Sequence, residues 1–224
     1  INTDQELWLP LTDGSGATAV DISGGGNDGT LLSAAGWETS SLGTVLALDG
    51  QTNSYATTPL LSSSVSHPHT HSIWFRTSDT SGYIIHQLAG TSGIFLRMNS
   101  STLEAYAGTT VALGSANQFN DNQWHNVVAV FNDTSSAFYV DGVLISSSNP
   151  GTRGWAGSTI GARSNGAQIL VSDLQNYRVW SRALSSTEVA DIYYSPWLGS
   201  AYTGTSSDPA TNRYFSPAAF ARLG

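Results

Sequence analysis

The sequence predicts an all-β chain, a two-sheet antiparallel sandwich or jelly roll with one short helix near its C-terminal end. Three observations carry this. Short apolar runs alternate or are rich in β-branched and aromatic residues. Clusters of Gly, Asn, Asp and Ser separate those runs at close spacing. Only one late segment combines helical periodicity with a cap. A length of 224 residues suits one large sandwich, which can bury a sizeable core although the chain has no cysteine.

The elements follow in order. Leu7, Leu9 and Leu11 alternate, so a first strand covers about 6–11, and a Gly-rich loop runs from Ser23 to Gly29. Strands are expected near 30–33, 44–49, 53–57, 71–76, 83–87, 94–98 and 103–106. The clearest strand is 124–132: Trp124, Asn126, Val128 and Val130 share one face, and His125, Val127, Ala129 and Phe131 the other. A hairpin follows, with Asp141-Gly142 between 136–140 and 143–146, because a two-residue type I′ turn needs positive φ at both central positions. Strands near 158–162 and 169–180 lead to the helix. Ser185 caps it, Glu188 completes a capping box, Leu184, Val189, Ile192 and Tyr193 face the sandwich, and Pro196 stops it. Residues 1–198 read as the folded domain. Residues 199–224 form an irregular, polar, Pro-containing tail with a terminal aromatic cluster, expected to pack on its own domain or a neighbouring subunit.

Charged residues are only 11% of the chain, where about 25% is usual, so Ser, Thr, Asn and Gly must cover the surface. The basic residues are eight arginines and no lysine, and the net charge is −8. That field disfavours nucleic acid and anionic lipid and favours divalent cations. No apolar run approaches the roughly 18 residues of a membrane span. The chain opens at Ile1 and reads as a processed chain or fragment, and its lysine-free polar surface suggests an extracellular, cell-surface or virion-surface setting.

Several segments together resemble laminin-G-like jelly rolls of the concanavalin A-like lectin–glucanase superfamily. They are Asp21-Ile22-Ser23-Gly24 with Asn27-Asp28-Gly29-Thr30, Leu46 to Gly50 before Tyr55, Ser72 to Thr77, Trp124 to Phe131, Tyr139 to Gly142, and Asn176 to Ser185 with Glu188. The likeness spans about residues 6–194. It implies two antiparallel sheets and often a structural Ca²⁺. The group includes lectins, adhesion modules, enzyme-attached sugar binders and surface proteins, so fold alone does not assign function.

A retaining glycosidase needs two carboxyls about 5–5.5 Å apart. The four glutamates are Glu6, Glu38, Glu104 and Glu188, and only Glu6 has an acidic neighbour at strand spacing, Asp4. No catalytic residue is assigned, and the chain is read as a non-enzyme. For Ca²⁺, the 21–29 loop offers Asp21, Asn27 and Asp28, and the resemblance suggests Asp173 from a late strand; the alternative is that these residues only build turns. Asp49, Asp79 and Asp141 read as turn formers. His67, His69 and His71 share one face of an extended segment, and are read as solvated polar groups rather than a metal set. His125 reads as a core histidine with a hydrogen-bond partner. For carbohydrate, Trp155 on a Gly-flanked loop with Arg153 is the leading candidate, followed by Tyr83, Tyr106 and Tyr55; Trp8, Trp37, Trp74, Trp124 and Trp180 read as core. Asn99-Ser100-Ser101 and Asn132-Asp133-Thr134 are glycosylation sequons.

Two functional readings remain. The first is a structural protein that self-assembles through its termini into an oligomer or filament, stabilised by calcium, with an extended end adding to a neighbour's sheet. The second is a carbohydrate-binding or adhesion module, possibly part of a larger protein. A hydrolase or lyase ranks third.

Overall fold

The computed structural model describes residues 3–60, 67–87 and 93–196. In chain order the strands are β1 (Gln5–Leu9), β2 (Thr18–Ala19), β3 (Gly29–Leu31), β4 (Gly36–Ser40), β5 (Gly43–Leu48), β6 (Ala56–Thr57), β7 (His69–Arg76) and β8 (Gly82–Gln87). Then come β9 (Phe95–Asn99), β10 (Thr102–Tyr106), β11 (Thr110–Ala112), β12 (Trp124–Phe131), β13 (Ser136–Val140), β14 (Val143–Ser148), β15 (Ser158–Ile160) and β16 (Ser172–Trp180), followed by helix α1 (Ser186–Tyr194). The first sheet runs β14-β13-β12-β7-β16-β5-β4, with β1 also paired to β16; the second runs β11-β10-β9-β8-β15-β6-β3-β2. The expected two-sheet antiparallel sandwich is therefore the observed fold.

The core lies between the sheets. Leu7, Leu9, Ile73, Phe75, Val127, Ala129, Phe131, Tyr177 and Val179 come from the first, and Ile84, Ile85, Leu96, Met98, Leu103 and Ala105 from the second. The period-2 alternation of each strand delivers these residues to one side. The Asp141-Gly142 hairpin has φ of 52° and 75°, as a type I′ turn requires. Ser185 and Glu188 form the expected capping box.

Helix α1 lies on the outer side of the first sheet. Val189, Ile192 and Leu184 cluster with Val128, Val130, Tyr139 and Trp180, and Tyr193 stacks on Trp74 with ring centroids 5.6 Å apart. The tryptophans read as core divide accordingly: Trp8, Trp74, Trp124 and Trp180 are buried, but on this outer side rather than between the sheets, and Trp37 is only half-buried.

One expectation changes here. Leu7, Leu9 and Leu11 are fully buried, and β1 pairs antiparallel with β16 of its own chain. The N-terminal strand thus completes its own sheet and is not an arm for a neighbour's. The other proposed connector, 199–224, lies outside the described residues. No described helix is long and apolar enough to cross a membrane.

Candidate functional site

The outer face of the second sheet carries the most distinctive surface chemistry. In β9, Leu96 and Met98 point into the core while Phe95, Arg97 and Asn99 point out; in β10, Leu103 and Ala105 point in while Glu104 and Tyr106 point out. A register irregularity in β8 between Tyr83 and Ile85 lets both Ile84 and Ile85 enter the core, and leaves Tyr83 and His86 on the outer side.

The strand registers set these side chains in two rows. Tyr83 lies opposite Arg97, and Arg97 opposite Glu104; His86 lies opposite Phe95, and Phe95 opposite Tyr106. The first row is ionic and hydrogen-bonded. Arg97 Nε donates to Glu104 Oε2 at 2.8 Å, Arg97 Nη1 donates to the Tyr83 hydroxyl at 3.3 Å, and Asn99 Nδ2 donates to Glu104 Oε1 at 3.1 Å. The second row is aromatic. Phe95 and Tyr106 are parallel at 4.6 Å, His86 is parallel to Phe95 at 6.0 Å, and the Arg97 guanidinium lies 4.9 Å from the Phe95 centroid. Phe95, Arg97, Glu104 and Tyr106 are only partly exposed, the Arg97 and Glu104 side chains to 23% and 13%. The arrangement sets stacked aromatic rings beside fixed donors and acceptors, the combination that orients a small polar ligand.

A concavity of about 370 Å³ opens elsewhere, where β4, β5, β7 and β16 meet; Trp37, Glu38, Asp49, Arg76, Asn122 and Asp173 contribute to its wall. Here Asp173 is bound by Arg76 through both Nε and Nη2 onto Oδ2.

The expected calcium ligands do not make one site. Asp21 accepts from the backbone N–H groups of Trp8, Ser23 and Asn27 and from the Ser23 hydroxyl, each at 2.9 Å, so donors already fill its lone pairs. Asp28 Oδ1 accepts from the Asp21 N–H, and Asn27 Nδ2 donates to the Glu6 carbonyl. These three residues do come together, but as a loop that hydrogen-bonds itself. Asp173 stands elsewhere: Asp21 holds Trp8, which pairs with Arg178, five positions along β16 from Asp173. That is on the order of 15 Å of strand. Among the described residues no group of three or more His, Cys, Asp or Glu side chains is placed to hold a metal ion.

Trp155 is also corrected. It is 0% exposed in the inter-sheet core, and its indole N–H donates to Ser158 Oγ at 2.8 Å. A flanking glycine marks backbone freedom, not an outward side chain, and the ring is unavailable for stacking. Arg153 is half-exposed, and its carbonyl oxygen accepts from His67 and His69. His69 and His71 are buried rather than solvated, because their face of β7 is the inner one. Tyr83 and Tyr106 belong to the two-row face, whereas Tyr55 sits half-buried beside Gly166. His125 is a buried histidine with partners, as expected. Burial opposes its charge, but hydrogen bonds and charge from Asp141 at 2.7 Å and Asp121 at 3.1 Å outweigh that and raise its pKa. Asn99 and Asn132 are half-exposed at the ends of β9 and β12.

Phe95, Arg97, His86 and Glu104 were not singled out as ligand contacts from the sequence. The signal was present as strict alternation in 95–99 and 102–106, with large, chemically versatile residues on the outward positions.

Comparison with known proteins agrees with this architecture. The sequence profile described as the concanavalin A-like lectin/glucanases superfamily, laminin-G type, matches residues 49–190. No curated protein matches in sequence. The binding domain of Paraclostridial Mosquitocidal Protein 1 superposes with a TM-score of 0.71 at 14% identity, over 88% of this chain and 53% of that one. The receptor-binding domain of the botulinum neurotoxin C/D mosaic serotype superposes at 0.69 and 16% identity, over 86% and 51%. The botulinum neurotoxin serotype D ligand-binding domain, solved in complex with N-acetylneuraminic acid, gives 0.69 and 16%, over 86% and 51%. The chain thus spans about half the length of these structures, and at such identity the likeness is one of fold. With its profile matched over more than half its length and its two-sheet sandwich in place, the chain belongs to the concanavalin A-like lectin/glucanase superfamily, in its laminin-G-type branch.

Proposed function

We propose that this chain is a carbohydrate-binding module of a secreted or surface-acting protein, and that it binds glycan on the outer face of the second sheet. The observation that carries this reading is the pairing of the Tyr83–Arg97–Glu104 row with the His86–Phe95–Tyr106 row. Aromatic faces accept the apolar C–H surface of a sugar ring, while the Arg97–Glu104 pair and Asn99 supply donors and acceptors for hydroxyls. The structures it resembles are receptor- or ligand-binding domains, one of them solved with a sialic acid, which supports binding over self-assembly.

The module binds rather than cleaves. Glu104 is held by two hydrogen bonds, one of them its ion pair with Arg97, and is not positioned as a free general acid. The site as drawn needs no Ca²⁺. Of the two sequons, Asn132 leads into exposed Asp133 and Thr134, whereas the Asn99 amide is spent on Glu104 beside the rings. A glycan on Asn132 is compatible with the site; one on Asn99 would cover it.

A glycan array with the purified chain, in the presence of Ca²⁺ and of chelator, tests the reading. Binding that persists under chelator and falls at least tenfold in Phe95→Ala and Tyr106→Ala is expected. Binding to no glycan, or binding unchanged in both variants, ends the assignment.

A further inference from the structure

Three of the five histidines form a buried chain that the glycan site does not use. His67, His69 and His71 stack edge to face, with ring centroids 4.8 Å and 5.1 Å apart, beside Phe131. His69 and His71 project into the space between the sheets because they occupy the inner positions of β7.

The hydrogen bonds fix where each proton sits. The Arg153 carbonyl can only accept, so His67 Nε2 and His69 Nε2 both donate to it, each at 2.8 Å. A neutral His69 then has a bare Nδ1, which accepts from His71 Nε2–H at 3.2 Å. A neutral His71 has a bare Nδ1, which accepts from the Tyr177 hydroxyl at 3.0 Å. Tyr177 in turn accepts from Ser158 Oγ–H at 2.8 Å, and Ser158 accepts from the Trp155 indole N–H at 2.8 Å. From His69 to Trp155 every member is satisfied by this one direction of donation with both rings neutral, whereas His67 Nδ1 has no hydrogen-bond partner. A proton added at His69 Nδ1 would face the N–H of His71. A proton added at His71 Nδ1 would force the Tyr177 and Ser158 hydroxyls to reverse their donation and would place a charge between the sheets.

The chain also ties separate parts of the fold together. His69 and His71 lie on β7 and Tyr177 on β16 of the first sheet, Ser158 begins β15 of the second, and Arg153 and Trp155 lie in the connection from β14 to β15 that crosses between the sheets. Its surroundings offer little compensation for charge. Phe131 faces all three rings, and Trp155 and Tyr177 face His71. The nearest carboxylate is that of Asp133, 3.5 Å from His67 Nδ1, with a side chain 60% exposed. Among the described residues none pairs with His69 or His71.

We propose that the His67–His69–His71 chain is an acid-sensitive latch. At neutral pH it holds the 149–157 connection and β15 against the first sheet, and in mild acid it breaks and lets that connection part from β7 while the rest of the sandwich persists. Burial, together with the neighbouring imidazole in each case, holds His69 down to about 4 and His71 well below the ordinary histidine value of 6.5. The open connection binds protons at the ordinary value. The latch is therefore at full strength above about pH 6.5, weakens as pH falls below it, and stops weakening once the closed form itself takes up protons near pH 4.

Ring-nitrogen NMR and amide hydrogen exchange of the intact chain between pH 7.5 and 4.5 test this, with exchange corrected for its intrinsic pH dependence. At pH 7.5 both rings are expected as neutral Nε2–H forms. As pH falls, protection at 69–71 and 153–159 is expected to drop at least tenfold before that of 95–106. Rings that titrate near 6.5 with protection intact, or protection lost everywhere in a single step, overturn the proposal. In His69→Gln the amide can donate to Arg153 and accept from His71 without titrating, so opening should take up about one proton instead of about two. An unchanged proton uptake counts against the latch, and if this variant does not fold, the measurements on the unaltered chain still decide.

Discussion

The two outer faces of the sandwich are built from the same alternating strands and end in opposite conditions. The outer face of the first sheet is closed over. Helix α1 covers Val128, Val130 and Trp180, and beside it Arg178, 0% exposed, lies between Trp8 and Trp180 with its guanidinium 3.9 Å and 4.7 Å from their ring centroids. Arg178 also donates, at 3.4 Å, to the carbonyl of Pro196 and to Gln5 Oε1, and burial pushes its pKa down to about 9, still charged at neutral pH. The outer face of the second sheet carries an arginine among aromatics too, but there Arg97 is partly exposed and paired with Glu104. The same residue types thus serve cohesion where they are enclosed and, in the proposed function, recognition where they remain open. Burial separates the two roles, because an enclosed cation must be compensated by its surroundings and an open one keeps its water.

The sharpest way to break this comparison is Arg178→Ala. It leaves a void between two indoles and should destabilise the chain by about 3 kcal/mol, read as a lowered midpoint in chemical denaturation, with glycan affinity unchanged in the folded fraction. A loss under 1 kcal/mol would show that the enclosed arginine is not a cohesive element.

Next in size is Glu188→Gln, at the N-terminal end of the covering helix. Arg182 and the Ser185 cap together hold the Glu188 carboxyl at about 2. A depressed carboxylate stabilises the fold above its unfolded value near 4.5 and loses that contribution as pH falls toward 2. The pair lies at the surface and is partly screened by solvent, so the cost at pH 7 should be only about 1 kcal/mol. The gap between variant and parent in thermal melts should narrow below pH 4.5; a gap that stays constant with pH excludes the ionised pair as its source.

The smallest stability effect is expected at the open face. Tyr106→Ala should cost no more than about 1.5 kcal/mol, the scale of one stacked pair, while glycan binding collapses. If it unfolds the chain instead, the ring is structural and the contrast between the faces fails.

Much of the architecture was legible beforehand because strand periodicity is local. Leu7 to Leu11, Trp124 to Phe131 and the Asp141-Gly142 turn each announce themselves within a few residues, and so does the Ser185–Glu188 cap. The short strands β2, β4 and β11 were not foreseen, since two to five residues give too little pattern and their pairing depends on distant partners. The proposed binding face was half legible. Tyr83 and Tyr106 were in view as aromatics, but their union with Arg97 and Glu104 arises from registers across three strands.

The sequence by itself determined the all-β class, the strand phases, the hairpin turn and the single capped helix, since each is decided by contacts between residues close in the chain. Only the tertiary structure decided which side of each strand met the core and which met water. It drew Trp155 inward to Ser158, enclosed His69 and His71, set Asp173 against Arg76 rather than Asp21, and left Phe95 and Tyr106 half-open. A period of two says that alternate side chains part company, but not which sheet lies on which side of them, and that depends on pairings up to 175 positions apart, such as Gln5 with Trp180.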